Sequence, residues 1–132
     1  MVRNLGTVLQ RIARVPTAVK RALESQLDKE ADDLVSAIKA NAPVAPQDST
    51  PGQLRNSVHK EPGRRELMRR VIADAKDKDG HVYASNVEHG HRTESGSHVA
   101  GVPFFFPTYR ARRAGIRRRM SKAARDAIKA LT

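Results

Sequence analysis

The sequence contains no cysteine and no tryptophan. Without cysteine the chain can build no disulfide, no thiolate metal site and no cysteine nucleophile. Aromatic residues make up only 4% of it, and their single cluster is Phe104-Phe105-Phe106. A domain of 132 residues buries about 65% of the surface its unfolded chain exposes. With so few large side chains to fill that interior, part of the stability is expected to come from partner subunits. Long apolar runs are missing as well. No stretch approaches the ~20 apolar residues that span a bilayer. Near the N-terminus Arg3, Arg11 and Arg14 interrupt the apolar residues, and no small-residue cleavage site follows, so the segment does not read as a signal peptide. No membrane partner is expected.

Acidic residues are scarce beside basic ones, 14 against 25, which leaves a formal net charge of +11. That balance favours acidic partners: nucleic acid, an acidic protein face or anionic lipid. The charge is unevenly placed. Between Arg110 and Lys129 lie nine Lys or Arg and one acid, Asp126.

Catalytic signatures are absent too. There is no nucleophile–base pairing, no glycine loop to cradle phosphates and no carboxylate dyad. Glu88 has no second carboxylate at useful spacing for acid–base work. His81, His89, His91 and His98 lie close in sequence, with Glu88 and Glu94 nearby. No helical His-x-x-x-His pair exists among them, so they read as surface histidines. No catalytic residue, metal or cofactor is expected.

Helices dominate what is present. Leu5, Val8, Leu9 and Ile12 outline a short amphipathic arm over residues 1–15, stopped by Pro16. Leu23, Leu27, Ala31, Leu34 and Ile38 step by three and four and predict a long helix from Thr17 to Asn41. Such a helix runs roughly 37 Å. Its other face carries Lys20, Glu24, Asp28, Lys29, Asp32 and Lys39, where acids stacked four apart cost a few tenths of a kcal/mol per pair. Ala42-Pro43 ends it. Residues 43–53 read as a loop, Leu54–Val58 as the start of a strand, Glu61-Pro62-Gly63 as a turn and Leu67–Ala75 as a strand. Lys76–Gly80 is a polar hairpin turn, and Val82–Val87 is a strand or a short helix. Residues 89–102 read as a flexible loop. Phe104–Phe106, between two prolines, reads as an extended anchor, and Thr108–Leu131 as a basic helix. The expectation is one α+β domain over 1–132, with a long N-terminal helix and a basic C-terminal helix packed on a small antiparallel sheet.

Three ordered motifs add to this. Ala42, Pro43, Val44, Asp48, Thr50, Gly52, Leu54, Arg55 and Ser57 form the first. Tyr83, Ala84, Val87, Glu88 and Gly90 form the second, and Pro103, Phe104 and Pro107 the third. The set resembles the small neck or tail-completion proteins of long-tailed bacteriophages, with A-P-V-D-T-G-x-L-R-x-S, then Y-A-x-x-V-E-x-G, then P-F-x-x-P and a terminal helix. Extra residues stretch the first motif, and His89 stands where an aromatic is usual. The resemblance implies a non-enzymatic virion component at the head-to-tail junction. It implies a homo-oligomeric ring of six or twelve subunits, with a head connector or adaptor and a tail terminator or tail-tube protein as partners, around a channel that carries the packaged DNA.

Each candidate residue has a plain reading and a functional one. Pro51, Gly52 and Leu54 are either loop-to-strand chemistry or part of a subunit-contact loop. In the contact reading Arg55 pairs with an acid, Glu88 being the candidate, of the same or a neighbouring subunit. Tyr83 and Val87 pack inward, or Tyr83 and Glu88 serve an interface. Three successive rings cannot all face one way, so among Phe104, Phe105 and Phe106 at least one is core and one is left as an interface anchor. Arg110, Arg112, Arg113, Arg117, Arg118 and Arg119 are a solvated face, a dock for an acidic partner, or a non-specific contact for DNA phosphates. The alternative to a ring component is a free, basic, architectural nucleic-acid-binding protein.

Overall fold

A computed structural model describes residues 16–44 and 52–131. The N-terminal arm, Pro51 and the middle of the first loop lie outside the described residues. Helix α1, Thr17–Asn41, forms as its periodicity predicts. Ala31 and Ile38 of its apolar stripe are fully covered. It ends at Ala42, whose extended backbone and N–H bond to the Lys39 carbonyl close the last turn before Pro43.

Leu54–Ser57, expected to start a strand, is instead a single helical turn. Helix α2 spans Gln53–Ser57, and strand β1 begins at Val58. Burial explains the difference. Leu54 and Val58 are both in the core while Asn56 between them is exposed, which a turn four residues long allows and an alternating strand does not. Gly52 enters the turn at φ 80°, and the Ser57 hydroxyl donates to the Leu54 carbonyl at 2.7 Å.

Strand β1, Val58–Pro62, pairs antiparallel with β2, Arg69–Ala73, in the register Val58↔Ala73 to Pro62↔Arg69. Pro62 therefore sits at a strand end, and the reversal occupies 63–68 rather than the expected Glu61-Pro62-Gly63. The stacked acids of α1 are offset by this hairpin. Arg69 donates to Asp28 at 2.6 Å, Lys60 lies 2.9 Å from Asp32 and 3.5 Å from Asp28, and Lys20 lies 2.9 Å from Glu66. The Arg69 guanidinium, with Lys60 behind it, holds the Asp28 carboxyl below its ordinary range.

The polar turn at 77–80 is closed by a bridge between Lys76 and Val82. Residues Ala84–His89 form helix α3, which resolves the strand-or-helix ambiguity. Residues 89–102, read as a loop, contain a hairpin: β3, Gly90–Arg92, pairs with β4, His98–Ala100. Its closing turn is tied by Thr93 and Ser97, whose backbone N–H and carbonyl meet at 2.8 Å.

Helix α4 spans Phe106–Lys129. Phe105 is already helical in backbone and Pro107 falls in the first turn, where its missing N–H costs nothing, so the Phe segment opens the helix instead of preceding it extended. Helix α4 runs beside α1, and α1 in turn covers the β1–β2 hairpin. The core is Ile38, Ala42, Leu54, Val58, Ala75 and Phe104, with Val71, Tyr83 and Val87 packed at its margin.

Candidate functional site

Glu88 organises the centre of the molecule. Helix α3 turns its side chain inward, where it is 5% exposed. Its carboxylate accepts the backbone N–H groups of Phe104 at 3.1 Å, Phe105 at 2.9 Å and Phe106 at 3.2 Å. A carboxylate at the start of a helix meets unpaired donors and the positive end of the helix dipole. Glu88 thus fastens the first turn of α4 to α3. It is closed inside its own chain, while Arg55 is exposed on α2 and forms no ion pair with it.

The β3–β4 hairpin makes this contact possible. Gly90 leaves α3 at φ 82°, and Val102 returns to donate to the Val87 carbonyl at 2.7 Å. Gly90 and Gly101 pass so closely that a Cβ on Gly101 would lie 2.6 Å from the Glu88 carbonyl oxygen. On the other side, Asn41 donates to the Thr108 hydroxyl at 2.9 Å, and Thr108 donates to the Phe104 carbonyl at 2.7 Å. The end of α1 is thereby tied to the start of α4.

The three phenylalanines grade from inside to outside. Phe104 is 1% exposed, Phe105 half-buried and Phe106 49% exposed. Phe105 meets Phe104 edge-on, and Phe106 stacks beside His89 with ring centres 6.2 Å apart. Phe105 and Phe106 separate two shallow apolar grooves. One, of about 390 Å³, runs between α1 and α4 and includes Leu27, Leu34, Tyr109 and Ile116. The other, of about 560 Å³, follows Val71, Ile72 and Ala73 of β2 toward Ala84 and His89. The β1–β2 sheet has only two strands, so the outer edge of β2 pairs with no strand among the described residues.

The arginines of α4 divide. Arg119 is 46% exposed, yet its fork holds Glu30 of α1 at 2.6 and 2.9 Å. Glu30 is 3% exposed, and Gln26 donates to it at 2.8 Å. The Arg119 guanidinium lowers the Glu30 carboxyl below its ordinary range. Arg119 therefore serves the α1–α4 seam. Sequence reasoning missed Glu30, although its position betrays it: an acid three residues after Leu27 and four before Leu34 lies on the apolar stripe. Arg110, Arg112, Arg113, Arg117 and Arg118 are exposed.

The remaining singled-out residues have separate places. Gly52 caps α2, Leu54 is core, and Tyr83 precedes α3 half-buried, its N–H directed at the Ala75 carbonyl at 3.3 Å. His91 and His98 are exposed on the hairpin, and His81 sits apart in the 77–80 turn. There Asp77 accepts the N–H groups of Asp79 and His81 at 2.9 Å, so its carboxylate holds the turn.

A family model described as "Bacteriophage HK97-gp10, putative tail-component" matches residues 6–90. That is most of the chain. The protein belongs to the HK97-gp10-like family. The family places it among structural components of the phage virion, in line with the neck and tail-completion resemblance of its motifs. The matched stretch ends at Gly90, so it holds α1, the β1–β2 hairpin and Glu88, while the phenylalanines that Glu88 fastens and the basic helix follow it. No curated protein and no solved structure matches the chain. No described helix is long and apolar enough to cross a membrane.

Proposed function

We propose that this HK97-gp10-like chain is the subunit of a closed ring at the head-to-tail junction, where it joins the capsid connector to the tail terminator or tail tube around the DNA path. The observation that carries the reading is the open edge of β2 beside the exposed Phe106. An unpaired strand edge flanked by an apolar groove invites a strand from another chain. A contact between two different patches of one subunit, repeated around an axis, closes into a ring. The exposed β3–β4 hairpin, with Val99 outward, suits the complementary patch on the neighbour. Phe106, and Arg55 exposed on α2, would meet neighbouring copies, while Glu88, Leu54 and Phe104 hold those elements in place. Closure is six- or twelve-fold.

The experiment is an amber mutation in the gene. The expected products are filled heads and complete tails that do not join until the chain is supplied in trans. Joined, infectious particles formed without it would overturn the reading. The uncompensated arginines of α4 favour a second reading, a free architectural nucleic-acid-binding protein, under which no joining defect appears.

A further inference from the structure

We propose that the outward half of α4 is a sequence-independent binding site for the phosphate backbone of double-stranded DNA. The inference deepens the ring reading by assigning the DNA-facing element. At 100° per residue, Arg110, Arg113, Arg117, Arg118 and Arg125 fall within an arc of about 140°, with Arg110, Arg117, Arg118 and Arg125 turned away from the half-buried Ile116, Ala123 and Ala127 and Arg113 at the edge of the arc. Arg119, about 180° round the helix from Arg110, is committed to Glu30 of α1, and Arg112, seven residues before it, shares that side. Arg110, Arg113, Arg117 and Arg118 make no ion pair with any described residue. The helix's one acid, Asp126, is held by Lys122 at 2.7 Å and does not neutralise them. From Arg110 to Arg125 is about 22 Å, which covers roughly six phosphates of one strand at 3.4 Å each.

Two features select phosphate over an acidic protein. The cations are almost all arginine, whose planar fork meets phosphate oxygens two at a time. Between Arg110 and Arg125 this side carries only Ala114, Ser121 and Ala124 besides the arginines; the exposed apolar side chains Phe106, Ile128 and Leu131 lie beyond its two ends. A protein interface needs a desolvated apolar centre with aromatic or aliphatic anchors, and none stands among the arginines between Arg110 and Arg125. No amide side chain stands among the arginines to read base edges, so binding tracks charge and not sequence.

The test titrates the full chain against a 20-base-pair duplex of scrambled sequence across 50 to 300 mM salt. Four to five phosphate contacts predict a slope of log affinity on log salt of about −4, unchanged for a second, unrelated duplex. Replacing Arg110, Arg113, Arg117 and Arg118 together with Gln keeps helix propensity at exposed positions. It is expected to weaken binding by about two orders of magnitude at the lowest salt and to bring the slope near −1. Arg64→Gln with Arg65→Gln, on the exposed β1–β2 turn, removes equal charge per residue and is expected to leave the slope within one unit. An unaltered slope in the α4 variant, or equal loss per charge in the turn variant, overturns the proposal. So does binding of polyglutamate as tight as that of DNA. Loss of DNA binding with particle joining intact refutes this site alone, whereas DNA binding with no joining defect refutes the ring reading and spares the site.

Discussion

Glu88 shows how one side chain can set the entry of a helix. Three backbone N–H groups converge on it. Removing the carboxylate in Glu88→Ala strands buried donors and is expected to cost about 3 kcal/mol. Glu88→Gln keeps one acceptor oxygen but turns an amide NH2, itself a donor, toward the N–H groups, and about 2 kcal/mol is expected. Urea unfolding of both variants checks the order. Glu30 acts at the same scale through charge. Its folded pKa is depressed by Arg119, as that of Asp28 is by Arg69. Both contributions are therefore complete above the unfolded carboxylate pKa of about 4 and are lost as pH falls through the lower folded values. Glu30→Gln should melt below the wild type at pH 7. Between pH 5 and 3 its melting temperature should fall less than the wild type's, which a calorimetric series would show.

At the level of elements, the β3–β4 hairpin is the spacer that brings Glu88 and the phenylalanines together. A methyl group on Gly101 collides with the backbone of His89 and Gly90 as well as Glu88. Gly101→Ala is expected to cost about 2 kcal/mol and to weaken protection of the Phe104–Phe106 amides in hydrogen exchange, while α1 amides stay protected. The same elements show what a sequence discloses. Helix α1 was legible because its apolar spacing persists for more than four turns from Leu23 to Ile38, and the basic helix because its arginines run on without a breaker after Pro107. The turn at Gln53–Ser57 was not, since five residues of helix and strand pattern coincide and only the exposure of Asn56 separates them. The hairpin at 90–100 was hidden because its strands are three residues long and face solvent, so no alternation marks them. The opening of α4 was misread because Pro107 forbids a helix interior but suits a helix start. Of the candidate site, the crowding of arginines on the last helix and the division of the phenylalanines between core and surface were visible in the sequence, but the separate role of Arg119 was not. The Glu30–Arg119 and Asp28–Arg69 pairs were not, because partners 89 and 41 residues apart leave no local trace.

Across the whole molecule, α1 is the common wall. Its acids receive the cations of the hairpin on one side and Arg119 on the other, while the outer half of α4 keeps its charge. The chain thus shows an apolar margin at β2 and Phe106 and a cationic margin on α4. If the apolar margin joins copies, Phe106→Asp should leave the melting temperature within about 2 °C, since the ring is half in solvent, yet shift native mass spectra from closed assemblies to monomers. Assemblies surviving that change would remove Phe106 from the interface. The most direct measurement is a cryo-electron microscopy reconstruction of the intact phage. The account predicts density for this fold as one closed ring of identical copies at the junction of head and tail, with α4 turned toward the DNA. A junction that contains no copy of this fold would contradict it.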